Sequence, residues 1–212
     1  MAKAYKNILF DLDGTLSDSA PGILRAFEYA FSKMNRPLPS HETLISYIGP
    51  PIEYSLRDYF SPQELIEVRS HYREYYLERG MNENTLYKGI PELLTRLKAK
   101  GYNLYVATCK ATYNARDILA NFGIADCFIY IQGVEQGIFD KSGVIKKVMD
   151  DFNLSPSETL FVGDTRHDTL GAAENNIDMC FVTYGFGKAE SVADLPVVYF
   201  APTPEAVGDY LE

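Results

Sequence analysis

Four acids, a threonine and two lysines stand in this sequence close to where short apolar segments end. Asp11 and Asp13 lie in "NILFDLDGTLSD" (residues 7–18), and Thr108 and Lys110 lie in "VATCK". Lys141 opens "KSGVI", and Asp164 and Asp168 fall in "LFVGDTRHD". Three carboxylates without His or Cys partners form a hard oxygen set, which suits Mg²⁺ and not zinc. Such an ion keeps several waters and shares phosphate oxygens with one or two carboxylates. A lysine beside it adds positive charge for a phosphoryl group, and a threonine hydroxyl can donate to its oxygens. One carboxylate can then attack phosphorus, which divides hydrolysis into two easier steps. Beyond that the step needs in-line positioning and charge neutralisation. A second carboxylate can protonate the leaving alcohol and later deprotonate water. Asp13 is spaced for that role. Residues i and i+2 of an extended chain point the same way, and Gly14 lets the backbone turn sharply afterwards.

Each feature alone also has a plainer reading. "DLDG" can be an Asx-type turn closing a strand. It is not an EF-hand loop, because its glycine is fourth and Gly22 stands where the twelfth-position Glu belongs. Asp164 and Asp168 can be a helix N-cap and a first-turn acid. Lys141 can be a solvated lysine, and Thr108 an ordinary strand-end residue. Their order, each at the end of an element, favours the joint chemical reading.

The elements that must position them alternate. Apolar runs at Asn7–Asp11, Asn103–Thr108, Cys127–Gln132, Thr159–Asp164 and Met179–Tyr184 read as buried parallel strands. Helical spacing over Asn114–Asn121, Ser142–Phe152 and Asp168–Asn176 separates the later ones. This pattern predicts an α/β fold with an open, doubly wound parallel sheet, which binds ligands outside the carboxyl ends of its strands. Residues Ser19–Leu86 break the rhythm with helical patterns, including "SPQELIEVRSHYREYYLERG", where Ser61 is the predicted N-cap and Pro62 the first helical residue. We therefore expect a core of residues 1–15 and 86–212 and an inserted helical domain of residues 16–85. "VVYFAPTPEAVGDYLE" predicts an edge strand and a last helix capped by Thr203.

Composition narrows the function classes. The 212-residue chain is 46% hydrophobic and 23% charged, an ordinary globular composition. Its net charge of −9 argues against a nucleic acid polymer as partner. No apolar run approaches the roughly 18 residues that cross a bilayer, and the first residues lack a signal-peptide pattern. A cytoplasmic protein with no membrane partner is expected. Cys109, Cys127 and Cys180 have no metal-type spacing and read as free thiols. Oligomeric state does not follow from the sequence.

The ordered motifs carry a family resemblance over nearly the whole chain. "DLDGT" at 11–15, "VATCK", Lys141 of "DKSGVI" and "VGDTRHD" resemble the four motifs of the haloacid dehalogenase-like hydrolases. The helical insertion resembles the C1 cap of the phosphoglycolate phosphatase-like branch. "YIGPPIEYSLRDYF" and "VTYGFG" look most like its 5′-nucleotidase-like members. The resemblance implies a Rossmann-like core and a Mg²⁺-dependent phosphatase for a small phosphorylated metabolite, working through an aspartyl-phosphate. Asp11 would be the nucleophile and Asp13 the acid/base, with Thr108 and Lys141 holding the phosphoryl group. Asp164 would ligate Mg²⁺ with Asp11 and the Asp13 carbonyl, supported by Asp168. Gly14, Thr15, Cys109, Lys110 and, in the cap, Gly49 are the further substrate-side candidates. Asp13 argues against an actual haloacid dehalogenase, which does not use this second acid.

One motif departs from the pattern. The loop before Lys141, "QGVEQGIFD", is short for the family, with Lys146 and Lys147 as alternatives. A phosphosugar mutase is the alternative activity, but Ile52 stands where β-phosphoglucomutases carry a cap arginine. A non-catalytic binding module is a third reading, though no key position is lost. His167 reads as a bystander and His41 and His71 as surface residues. Tyr47, Tyr54, Tyr59, Tyr72, Tyr75 and Tyr76 could form a nucleobase platform or simply pack the cap. Arg57 and Arg73 could meet an anionic leaving group or remain solvated.

Overall fold

The computed structural model describes residues 5–50 and 52–212, so Pro51 of "YIGPPIEYSLRDYF" lies outside the described residues. In chain order the elements are β1 (Asn7–Phe10), β2 (Ser17–Asp18), α1 (Ala20–Lys33), α2 (His41–Ile45), α3 (Ile52–Leu56), α4 (Pro62–Glu78) and β3 (Thr85–Leu86). There follow α5 (Ile90–Ala99), β4 (Asn103–Ala111), α6 (Thr112–Asn121), β5 (Tyr130–Val134) and α7 (Lys141–Asp151). The chain ends with β6 (Thr159–Gly163), α8 (Arg166–Glu174), β7 (Asp178–Val182), β8 (Tyr199–Ala201) and α9 (Pro204–Tyr210). Two compact units result, one from the residues through Ser17 with Leu86–Glu212, the other from Asp18–Thr85. Both crossings lie in a two-stranded ribbon of β2 and β3.

The larger unit is built on a six-stranded sheet of order β5-β4-β1-β6-β7-β8 with parallel pairing throughout. β1 is buried at all four residues, as a central strand covered on both faces must be. It pairs with β4 through Ile8↔Leu104 and with β6 through Ile8↔Leu160. The chain order reverses around β1, which makes this the switch point where α/β sheets bind ligands. On one face Leu9, Phe161 and Met179 pack with Val144, Ile145 and Val148 of α7. Burying each such side chain contributes roughly 1.5–3 kcal/mol.

The boundaries differ from the sequence expectation in physically readable ways. The strand expected at Cys127–Gln132 starts at Tyr130, because Ala125–Cys127 forms a 3₁₀ turn. β4 runs beyond Thr108 to Ala111, with a register shift between Ala107 and Ala111. α8 is capped by Thr165 and not by Asp164, while Asp168 completes the capping box.

The smaller unit is an aromatic helical cluster. α1 buries Ile23, Phe27 and Phe31 along one face. Phe27 meets Tyr47 and Tyr72 at 5.8 and 5.0 Å between ring centroids, and Phe31 meets Phe60 at 5.3 Å. Tyr72 stacks on Tyr76, so these tyrosines pack against their own unit. Tyr54 is exposed beneath the Arg57 guanidinium at 4.2 Å. Ser61 caps α4 in a capping box with Glu64, and Pro62 follows as the sequence predicts.

Candidate active site

Asp11 leaves β1 still tied to its neighbour, its N–H donating to the Val162 carbonyl at 2.9 Å. The chain then folds back on itself, with Gly14 N–H on Ser17 O at 2.8 Å and Leu16 N–H on Leu12 O at 2.9 Å. Gly14 has φ +81°, and a Cβ there would lie 2.2 Å from Asp164 Oδ2. Glycine is required twice over, for the left-handed turn and for the close approach.

Lys141, the first residue of α7, is 4% exposed and reaches the centre of the site. Its Nζ lies 2.7 Å from Asp11 Oδ1 and 2.8 Å from Asp168 Oδ1, and donates to the Ala107 carbonyl at 3.2 Å. Lys146 and Lys147 instead pair with Asp150 and Asp151 along the outside of the same helix. Of the three lysines, Lys141 is the one that meets Asp11. Asp168 Oδ2 accepts from Thr165 N–H, Thr165 Oγ1 and Asp164 N–H at 2.9, 2.7 and 3.2 Å.

Asp164 is fully buried. Thr15 Oγ1 donates to its Oδ1 at 3.2 Å, and the N–H groups of Phe186 and Gly187 donate to Oδ2 at 2.7 and 3.4 Å. Asp13 Oδ2 lies 3.0 Å from Lys110 Nζ, while Asp13 Oδ1 is buried with no hydrogen-bond partner among the described residues. Thr108 is buried at the end of the regular part of β4, and its Oγ1 accepts from Lys110 N–H at 3.3 Å. Cys109 follows it. Gly49 belongs to the helical unit, with φ +112°.

The electrostatics follow from burial. Desolvation raises the Asp11 carboxyl to about 6, with Lys141 opposing and Asp168 assisting. Asp164 is pushed well above the usual carboxylate range by burial, then by Asp168 and Asp11. Burial would depress the Lys141 ammonium, but Asp11 and Asp168 outweigh it and raise its affinity for the proton. The Cys109 thiol is pushed up to about 12 by burial, which leaves no thiolate for nucleophilic work. Burial lowers the His167 pKa, so the ring stays neutral near pH 7.

Four acids of this site face two ammonium groups, so two negative charges are left over when all are ionised. Asp11, Asp164 and Asp168 each offer a carboxylate oxygen, and these lie within 4.8 Å of one another. The donor set and the surplus charge both fit a hard divalent cation. Within that group Asp168 Oδ1 meets the Lys141 ammonium and its Oδ2 accepts three hydrogen bonds, whereas Asp164 has only neutral donors on its two oxygens.

The model of the haloacid dehalogenase-like hydrolase family matches residues 8–182. The chain belongs to this family. A 5′-nucleotidase of Pseudomonas aeruginosa is 38% identical over 205 residues, covering 94% of this chain and 93% of that protein. The tyrosine-protein kinase PtkA of Mycobacterium tuberculosis is 36% identical over 87% of this chain, which spans 64% of that protein's length. Among solved structures, a haloacid dehalogenase-like family hydrolase of Streptococcus pneumoniae superimposes with a TM-score of 0.94 at 35% identity, over 98% of this chain and 99% of that one. The α/β core and the helical insertion between β1 and β4 are thus those of a haloacid dehalogenase-like hydrolase.

The sequence reading missed one part of this hydrolase's site, the loop 184–187. It contributes backbone N–H groups, which no residue type advertises. The available signal was the pair Gly185 and Gly187 directly after a strand of the sheet. No helix among the described residues is long and apolar enough to cross a membrane.

Proposed function

We propose that this chain is a Mg²⁺-dependent phosphatase that hydrolyses a small phosphomonoester through an aspartyl-phosphate on Asp11. The observation that carries this reading is the Asp11 carboxylate, held by Lys141 at 2.7 Å at the switch point of the sheet among acids in excess of their cations.

Asp11 attacks phosphorus in line while the bond to the leaving alcohol oxygen breaks. Asp13 gives its proton to that oxygen. It then takes a proton from water, whose oxygen displaces Asp11 and releases inorganic phosphate. Lys141 neutralises the phosphoryl oxygens, the Thr108 hydroxyl donates to them, and the Cys109 backbone adds an N–H donor. Asp168 keeps Lys141 in place. Asp11, Asp164 and the Asp13 carbonyl would hold Mg²⁺, which when bound neutralises charge on the transferring group. Asp13 Oδ2 lies 3.0 Å from Lys110 Nζ, a contact that holds this side chain in place before substrate arrives.

The substrate class is a 5′-nucleotide, phosphoglycolate or a similar small phosphate ester. Residues 16–85 would be the cap that selects among them, with Gly49 as its specificity candidate. Release of inorganic phosphate from an aryl phosphate should require Mg²⁺, and a panel of esters compared by kcat/KM should rank the substrates. Asp11→Asn should lose at least about 10³-fold in kcat. Full activity in that variant would overturn the mechanism.

A further inference from the structure

The loop that follows β7 has a role the mechanism leaves unassigned. Tyr184 Oη donates to the backbone carbonyl of Thr15 at 3.0 Å. The Thr15 hydroxyl donates to Asp164 Oδ1 at 3.2 Å. Asp164 Oδ2 accepts from Phe186 and Gly187, two and three residues beyond Tyr184. These contacts close a circuit that starts and ends in one short loop.

The circuit is tight and well braced. A Cβ on Gly185 would lie 2.3 Å from Gly14 O, and one on Gly187 would lie 1.9 Å from Asp164 O. The Tyr184 ring meets Tyr87 edge-on with centroids 5.0 Å apart, so the phenol is fixed by packing before its hydroxyl is used. Among the described residues Asp164 has no ion-pair partner. Its orientation rests on neutral donors, and Oδ1, which accepts only from Thr15, has a second lone-pair site left for a cation. Partners that orient a metal-ligating carboxylate typically change metal affinity 10–100-fold when removed.

We infer that Tyr184 is a positioning residue whose hydroxyl, acting through Thr15, fixes the Asp164 carboxylate for a divalent cation. This rests on the reading of the site as a Mg²⁺-dependent phosphatase. The same contact also ties the loop after β7 to the turn that carries Asp11 and Asp13.

Calorimetric titration of the metal-free full chain with Mg²⁺ tests it. Tyr184→Phe keeps the ring and should raise the Mg²⁺ dissociation constant by about tenfold, while KM for an aryl phosphate at saturating Mg²⁺ stays at the wild-type value. Thr15→Val should weaken Mg²⁺ in the same way, and Thr15→Ser should restore it. A role confined to folding would lower the thermal midpoint of metal-free Tyr184→Phe and leave its dissociation constant unchanged. That result overturns the inference while the phosphatase reading stands. Wild-type protein that binds no Mg²⁺ overturns the phosphatase reading, and the inference falls with it.

Discussion

The two units of this molecule treat the same side chains in opposite ways. In the helical unit Glu64 sits at the surface, and its carboxyl is held down to about 2 by the Ser61 N–H, by Arg36 and by the Ser61 hydroxyl. Glu74 is lowered as well, first by its hydrogen bond from Tyr29. In the α/β unit Asp11 and Asp164 are buried and their carboxyls are raised. The first pair of acids stabilises a fold that would exist without ligand. The second pair burdens its fold, since buried like charges repel and lose hydration. Such a burden at the switch point of the sheet would be relieved by a cation bound among these acids.

The comparison is most open to attack at Lys141. Lys141→Met should cost about 3–5 kcal/mol of stability near pH 7, because it leaves Asp11 and Asp168 without their buried partner. Lys146→Met, on the exposed side of the same helix, should cost less than about 0.5 kcal/mol. Urea unfolding of the two metal-free variants measures both. Equal losses would break the distinction between the two kinds of acid.

A smaller effect should appear with pH. A carboxyl whose pKa is higher in the folded chain binds protons preferentially when folded, so stability falls as pH rises between the two values. For Asp11 the window runs from 3.8 to about 6. Glu64 works the other way, because its contribution is present above its ordinary 4.5 and is lost as pH falls towards about 2. Thermal unfolding of the metal-free protein should therefore be most favourable to the native state near about pH 4–5 and decline towards pH 7, with Mg²⁺ flattening the decline. A midpoint that climbs steadily from pH 5 to 7 without metal would sink this account.

The smallest effect belongs to the helical unit. Ser61→Ala removes the hydroxyl half of the capping box and should cost about 1 kcal/mol in urea unfolding, with no change in Mg²⁺ affinity.

Much of this was legible in the residues. Asp11, Asp13, Asp164 and Asp168 announce themselves because acids rarely end apolar runs without a reason. Ser61, Pro62 and Thr203 mark their helix starts through chemistry that is local in sequence. The start of β5 was not legible, because the apolar run from Cys127 to Ile131 continues through a 3₁₀ turn that composition does not distinguish. Asp168 was read either as a helix-start acid or as a site residue. One of its oxygens completes the capping box and the other meets Lys141. Thr15 was a candidate for substrate, yet its hydroxyl is directed to Asp164. Such divided loyalties depend on which oxygen faces which neighbour, and only the folded arrangement decides that.

The position of β1 also bears on how this protein moves. With β4 on one side and β6 on the other, its amides are shielded until the sheet itself comes apart. The repulsion among the acids beyond its end therefore cannot be relieved by local fraying, as it could at an edge strand. It is shared by the whole cooperative unit, and a cation bound at Asp11 would stabilise that unit from its centre outward. Occupancy of the site and persistence of the native state would then be one equilibrium.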